Sequence, residues 1–174
     1  MTAVDQSLDL GRTRDLEGRA WQPWLRRALL ALVAVPVVLA ATGAFGQATE
    51  STTASANGAR MRLEAPGVLR GGLMWRTRVV IRASRRIDDP RVILGPGFAE
   101  GMQLNTIAPS PESEASRGPR IVLSYPALDP GDELVVYLQL QVNPTTVGDE
   151  DMNVEFDDAT DPLVRIDHTT SALP

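Results

Sequence analysis

The sequence predicts an all-β fold: an immunoglobulin-like antiparallel β-sandwich of about seven or eight strands, preceded by one transmembrane helix. Three observations lead to this class. Twenty-two residues without a charge lie between Arg27 and Glu50. From Arg60 onward apolar and polar residues alternate, which is typical of strands with one buried face. Thirteen prolines and fourteen glycines fall mostly between the alternating segments, where turns are expected.

The apolar segment predicts a transmembrane helix over residues 25–46, because about 20 apolar residues span the hydrocarbon core of a bilayer. Arg26 and Arg27 stand at its amino end, with two tryptophans beside them. Basic residues stay on the cytoplasmic side, and tryptophans settle at the depth of the headgroups. We therefore expect a single-pass protein of the cell membrane. Residues 1–24 would be a disordered cytoplasmic tail, and the chain after about residue 47 would be extracytoplasmic.

A cleaved export signal is the alternative interpretation of the same segment. The small residues of 44–46 and 46–48 resemble a cleavage site, and Arg26-Arg27 weakly resembles a twin-arginine signal. The apolar run is longer than the 7–15 residues or so of most export signals, which favours the anchor. Both interpretations export the carboxy-terminal part of the chain.

Composition excludes several kinds of site. The chain has no cysteine and one histidine, His168, so thiol chemistry, cysteine–zinc sites and multi-histidine metal sites are excluded. Residues 47–174 hold twelve arginines against eighteen acidic residues, a net charge of −6. Nucleic-acid binding requires clustered positive charge, so we expect no nucleic-acid partner. No nucleotide loop or catalytic constellation is recognisable, and no cofactor is predicted; Gly71-Gly72 and 95–97 are interpreted as turns without a following helix.

Small polar residues after the apolar segment predict a flexible linker over residues 47–59. Residues 60–170 are predicted to form the sandwich, with a small barrel as the alternative. In the first strand Met61, Leu63 and Ala65 occupy every second position. Because such residues share one side of a strand, we expect these three to face the core.

Two longer strands show the alternation most clearly. The first has an inward series of Trp75, Thr77, Val79, Ile81 and Ala83. The second covers residues 133–143, with Tyr137 facing outward and an inward series of Leu134, Val136, Leu138, Leu140 and Val142. Shorter strands are predicted over 91–94, 102–107, 121–125, 153–157 and 163–168, and a polar loop over 108–119.

Residues 128–144 contain a leucine, a Pro-Gly turn and the long alternating strand. This segment resembles the penultimate hairpin of bacterial immunoglobulin-like domains of the CARDB kind. The whole chain is similar to the small single-anchor membrane proteins of high-GC Gram-positive bacteria. The resemblance implies an extracytoplasmic sandwich and supplies no catalytic residue, since fold likeness does not give function.

Arg76, Arg78 and Arg82 are the predicted anion-contact residues. Strand alternation places them on one side of one strand, and guanidinium groups form two-pronged hydrogen bonds to phosphate and carboxylate. The alternative is a solvated face whose arginines pair with acids on neighbouring strands.

The sequence predicts no metal site as such. The nearest to one is an acidic group whose oxygens would suit calcium: Asp149, Glu150, Asp151, Asp157 and Asp158. The alternative is that these side chains cap turns through their own backbone.

These observations favour a non-enzymatic accessory module that docks on another membrane or envelope protein. The loop 108–119 and the sheet edges are the expected contacts, since loops on rigid sandwiches and open edges recognise partners. The alternative is a domain that binds an envelope polymer or calcium, released if the signal is cleaved. Many carboxylates are present, but no spacing singles out a catalytic pair.

Overall fold

The computed structural model describes residues 21–41 and 48–174, which fall into two separate units. The first unit contains helix α1, Gln22–Ala41, which continues through Pro36. It begins three residues before the predicted 25–46, because Pro23 is tolerated in the first helical turn, where its missing N–H has no partner anyway. The predicted end at residue 46 and the tail over 1–20 lie outside the described residues.

Helix α1 is long and apolar enough over Gln22–Leu39 to cross a membrane. The expected amino-terminal apolar helix is therefore confirmed. Such a helix fits a signal anchor and a signal peptide alike, so its retention and its orientation stay predictions.

The second unit is a two-layered β-sandwich with a short third sheet at one end. The front sheet has the order β1-β2-β4-β9-β6, with every pair antiparallel. Its strands are β1 Thr49–Ala56, β2 Ala59–Pro66, β4 Met74–Ala83, β6 Met102–Ala108 and β9 Glu133–Val142.

The back sheet has the order β12-β11-β5-β8-β7 and is also antiparallel throughout. Its strands are β5 Pro90–Leu94, β7 Ser113–Arg117, β8 Arg120–Ser124, β11 Val154–Asp158 and β12 Asp161–Ile166.

The end sheet has the order β10-β13-β3, in which β13 runs antiparallel to β10 and parallel to β3. Its strands are β3 Val68–Arg70, β10 Gly148–Asp151 and β13 Thr169–Leu173. A one-turn helix, α2 Gly97–Glu100, follows β5 and buries Phe98.

The core lies between the front and back sheets. Both inward series predicted for β4 and β9 are buried, as are Met61, Leu63 and Ala65 of β2. They join the inner side of the back sheet in one cluster, which includes Leu123 of β8 and Phe156 of β11. The predicted sandwich is therefore confirmed, with thirteen strands in the described residues where about eight are predicted.

The predicted linker over 47–59 is wrong for most of its length. Residues 49–56 form β1, which pairs with β2 over eight residue pairs from Thr49↔Pro66 to Ala56↔Ala59. The strand is polar because it lies at the edge of the front sheet, where seven of its eight residues are exposed. Backbone pairing with β2, and not apolar alternation, holds it in place.

The predicted loop over 108–119 is also wrong in part, because β7 lies within it. All five residues of β7 are exposed, so the strand carries no apolar pattern, and β8 holds it through a five-pair ladder. The short strands β3, β10 and β13 and the one-turn helix α2 are absent from the prediction for similar reasons. Each has only three to five residues and few large apolar side chains.

Candidate binding face of the front sheet

The solvent side of the front sheet, called here the arginine face, carries five arginines on β2 and β4. Cross-strand register fixes their arrangement: Arg60 lies opposite Arg82, and Arg78 lies between Glu64 and Tyr137. The members are Arg60, Arg62, Arg76, Arg78 and Arg82, with Glu64 and Glu133 as the acids on β2 and β9. Five of the twelve arginines of residues 47–174 therefore share a face with two of the eighteen acids.

Three of these arginines are paired with carboxylates. Glu64 lies 3.3 Å from the Arg62 Nε and 3.5 Å from an Arg78 nitrogen, so one acid serves two cations. Glu133 accepts a hydrogen bond of 3.0 Å from Arg82. The pairing that was considered as the alternative to anion contact is thus present for Arg78 and Arg82.

Arg76 has a different environment. Among the described residues no carboxylate lies within salt-bridge distance of it, and its guanidinium carbon lies 5.9 Å from the ring centre of Tyr137. Arg78 approaches the same ring at 5.8 Å. Arginine held over an aromatic face keeps its donors free at the edge of the group, so Arg76 is ordered and still available to an anion.

A shallow groove of about 280 Å³ runs beside this stack. Its lining is Arg76, Thr106, Ala108, Tyr137 and Gln139. A register shift between Leu104 and Thr106 on β6 keeps Thr106 and Ala108 on the outer side. A second groove of about 270 Å³ lies over Val80 and is bordered by Arg60 and Arg82. Arg60, like Arg76, has no carboxylate within salt-bridge distance in the described residues.

The sequence-predicted trio Arg76, Arg78 and Arg82 therefore does share one face. Sequence reasoning missed that Arg60 and Arg62 join it, because the β2–β4 register that brings them alongside cannot be obtained from alternation alone. The exposed Tyr137 was predicted to face outward, and this is confirmed at 39% exposure.

The acidic group predicted as the nearest approach to a calcium site is not brought together. Asp149 accepts a hydrogen bond from the Ser171 hydroxyl at 2.6 Å, and Asp151 caps the turn at Asn153. Asp158 accepts hydrogen bonds from the backbone N–H groups of residues 88 and 89 in another part of the domain. Within residues 21–41 and 48–174 no three carboxylate or histidine side chains are placed to share a metal ion.

The remaining two acids of that group are partly buried. Burial raises the pKa of Glu150, and nearby Glu100 adds to the shift. Burial also raises the pKa of Asp157, with repulsion from Glu155 as the next cause, against the opposing pull of three arginines. Asp157 lies on β11 in the back sheet, so it is in a different sheet from residues 149–151.

The outer side of the back sheet, called here the back face, carries two arginines that form ion pairs with one glutamate of the same face. Glu155 forms a salt bridge of 2.8 Å with Arg120 and a second salt bridge with Arg165. Between Glu155 and Val122 on the neighbouring strands lies Ile93, which is fully buried although it points away from the core between the sheets. Among the described residues this face carries no exposed aromatic ring.

The histidine and two buried aromatic residues of the sandwich have structural surroundings. Trp75 is buried in the core, as predicted. The His168 Nε2 lies 3.2 Å from the carbonyl oxygen of Pro66, where it ties the end sheet to β2. Burial raises the pKa of Tyr125 to about 12, with Glu114 as a further cause.

The glycines at 95 and 97 are explained by close packing. A Cβ on Gly95 would approach the Asn153 Oδ1 to 2.5 Å, and one on Gly97 would approach the Asp151 carbonyl oxygen to 2.8 Å. The expectation that no helix follows them is wrong, since α2 begins at Gly97. A helix of four residues has too few aligned peptides to support a phosphate site.

No protein-family model and no curated protein matches this chain. Among solved structures the chain is similar to a non-cellulosomal cohesin from the archaeon Archaeoglobus fulgidus, with 15% identity and a TM-score of 0.41 over 72% of this chain and 91% of the other. It is similar to the C-terminal domain of wzt, with 15% identity and a TM-score of 0.43 over 72% and 79%. It is also similar to CaCohA2 from Clostridium acetobutylicum, with 11% identity and a TM-score of 0.41 over 72% and 91%. These scores give no basis for carrying over a ligand or a partner, and the CARDB resemblance of residues 128–144 stays a prediction.

Proposed function

We propose that this chain is a non-enzymatic, membrane-anchored interaction module. Helix α1 stays uncleaved and holds the sandwich outside the cell membrane, and the arginine face docks on an acidic surface of another membrane or envelope protein. The single observation that carries the proposal is the ordered Arg76–Tyr137–Arg78 stack, with Arg76 free of any carboxylate among the described residues.

Residue type supports a protein partner. Arginine and tyrosine are enriched at the centres of protein interfaces, where they supply large contact areas and directed hydrogen bonds. The groove beside Tyr137 is shallow, and its volume of about 280 Å³ falls below the size of most small-molecule sites. A larger space of about 570 Å³ is bordered by Arg60 and Arg82, but it lies at the β1–β2 turn and not beside the stack. A flat face with few anchors suits another folded surface better than a small ligand.

Charge supports an acidic partner. The arginine face carries five cations and two acids on a domain whose net charge is −6. An acidic surface would be repelled by most of the domain and attracted to this face, so the charge distribution selects one docking orientation. Anchoring in the same membrane as the partner raises the effective concentration of both.

The test compares partner recovery among matched variants of the tagged full-length chain. Cells are crosslinked, membranes are solubilised in mild detergent, and the protein that co-purifies is quantified. The double variant Arg76→Ser, Tyr137→Ala removes the stack. Arg117→Ser is the control, because Arg117 is an exposed arginine of β7 with no salt bridge in the described residues.

We expect a stoichiometric membrane or envelope protein with the wild type and with Arg117→Ser, and at least a tenfold loss with the double variant. Equal recovery from both variants would contradict docking through this face. Loss with Arg117→Ser alone would move the interface to β7. The purified protein should have the mass of the full 18.8 kDa chain plus the tag, and a chain beginning near residues 47–49 would contradict the retained anchor.

The second candidate is a polymer of the cell envelope with repeated anionic groups. The spacing of Arg76, Arg78 and Arg82 along one strand favours it, because residues two apart lie about 7 Å apart on the same side of a strand. Isolated wall material should then retain the full-length protein in mild detergent. The triple change of these arginines to glutamine should abolish retention, whereas a protein partner would be recovered without any wall material.

A further inference from the structure

We infer that one end of the sandwich rests on the lipid surface of the membrane in which α1 is anchored; this inference depends on the retained anchor of the proposed function. The end in question, called here the apolar end, is defined by Val68, Leu73, Met74, Val147 and Leu173. Within residues 48–174 these are all of the exposed large hydrophobic residues except Tyr137. An exposed apolar patch of this kind marks a contact surface.

Backbone contacts place these residues side by side. The Gly71 N–H donates to the Leu173 carbonyl oxygen at 2.9 Å, and the Leu73 N–H donates to the Arg70 carbonyl oxygen at 3.2 Å. Gly148 pairs with Ala172, which brings Val147 to the level of Leu173. Three elements from distant parts of the sequence therefore meet here: the β3–β4 turn, the start of β10 and the end of β13.

The chain enters the domain at this end. Thr49, the first residue of β1, pairs with Pro66, and the next residue, Gly67, accepts a hydrogen bond of 2.9 Å from the Ser171 N–H of β13. Only the seven residues 42–48 separate the end of α1 from Thr49 in the sequence. A fully extended segment of that length reaches about 25 Å, so a bilayer that holds α1 lies within reach of this end.

The chemistry suits a lipid interface better than water. Met74 is 51% exposed and Val147 is 63% exposed. Both have apolar side chains, whose transfer out of water is favourable in free energy. Arg70, the exposed partner of Leu173 in the β3–β13 ladder, stands at the rim of the patch. A basic residue beside apolar side chains suits the headgroup layer, where the cation meets lipid phosphates.

The experiment uses the absence of cysteine, since any introduced thiol is unique. The full-length chain is reconstituted in vesicles of phosphatidylcholine and phosphatidylglycerol. An environment-sensitive fluorophore is attached at Leu173→Cys or Val147→Cys, and at Ser116→Cys on the exposed β7 as the control. Lipids with a nitroxide on the acyl chain then report depth by quenching.

We expect blue-shifted emission at positions 173 and 147 with at least a twofold loss of intensity to the nitroxide lipids, and neither effect at position 116. The change Leu73→Gln, Met74→Gln should remove the effect from the label at 147, and thermal melting would verify that each variant is folded. Water-like, unquenched emission at 173 and 147 in vesicles that retain the protein would overturn the inference and leave the proposed anchor intact. A blue shift without quenching, present only at high protein density, would assign the apolar end to a second copy and overturn it as well. Failure of the vesicles to retain the protein would overturn the proposed anchor itself.

Discussion

The two outer faces of the sandwich use the same residue type in opposite ways. On the back face Arg120 and Arg165 both form salt bridges with Glu155, and Ile93 of the central strand β5 is fully buried. On the arginine face one glutamate serves two arginines at 3.3 and 3.5 Å, and Arg76 stacks on an exposed ring instead. Arginine content alone does not distinguish the two faces.

The difference teaches that the surroundings of an individual arginine, and not its charge, separate a structural role from a candidate binding role. A paired and partly buried arginine stabilises its own domain, and removing its partner leaves a charge with no compensation. An ordered arginine without a carboxylate contributes little to folding and is free to bind. Four predictions test this contrast, and they follow in order of expected effect on stability.

The largest effect is expected from shortening the apolar side chains on the two faces. Ile93→Ala should lower the free energy of unfolding by about 2–4 kcal/mol, because it leaves a cavity beneath the back-face ion pairs. Val80→Ala on the half-buried arginine face should cost less than about 1 kcal/mol, since that site is already open to water. Urea unfolding of both variants measures the difference. Equal losses would mean that the two faces are equally open.

The second effect concerns the acids. Glu155→Gln should lower the free energy of unfolding by about 1–2 kcal/mol. The Glu155 side chain is only 17% exposed, and the substitution leaves Arg120, at 29% exposure, without its charged partner. Glu64→Gln on the arginine face is the matched control and should cost about 0–1 kcal/mol, as for other solvated pairs. The free energies of unfolding in urea at neutral pH decide between them. A larger loss with Glu64→Gln would reverse the assignment of the structural face.

The third effect depends on pH. Burial and Glu155 raise the pKa of Asp157, so the folded chain holds that proton more tightly than the unfolded chain does. Stability from this group is therefore present at low pH and is lost as the pH rises through the raised pKa. Asp157→Asn should melt above the wild type at pH 7, and the gap should narrow as the pH falls towards the ordinary value of 3.8. A variant that melts below the wild type at pH 7 would show that the three arginines outweigh burial.

The smallest effect on stability is expected where the effect on binding is largest. Arg76→Ser should change the free energy of unfolding by less than about 0.5 kcal/mol, as should Arg117→Ser. Only the first should weaken binding to the acidic partner. A stability loss above 1 kcal/mol or so with Arg76→Ser would place this residue with the structural arginines of the back face.

Prediction from sequence succeeded where side-chain alternation reports burial. The inward series of β4 and β9 and the outward Tyr137 follow from a period of two, because one side of each strand faces the core. It failed at β1, β7 and β13, which contain few large apolar residues and are held by backbone pairing with a neighbour. A ladder of main-chain hydrogen bonds leaves no mark on the side-chain pattern.

The candidate site was predictable in part for the same reason. Alternation along β4 is enough to place Arg76, Arg78 and Arg82 on one side. Their partners are not predictable, because they come from β2 and β9 through a register that tertiary packing fixes. The acidic residues show the opposite failure: Asp151 and Asp157 are close in sequence, yet the buried turn at Met152 and Asn153 sends them to different sheets.

Strand β1 has a mechanical consequence. Any force transmitted through residues 42–48 reaches the sandwich at Thr49, the open end of a hairpin that closes at Asn57 and Gly58. The hydrogen bonds of an antiparallel pair lie perpendicular to the strands, so a pull along β1 loads all eight residue pairs in shear and does not unzip them one at a time. The edge strand that the sequence predicts as a flexible linker is thus a paired strand that resists a pull along its own axis.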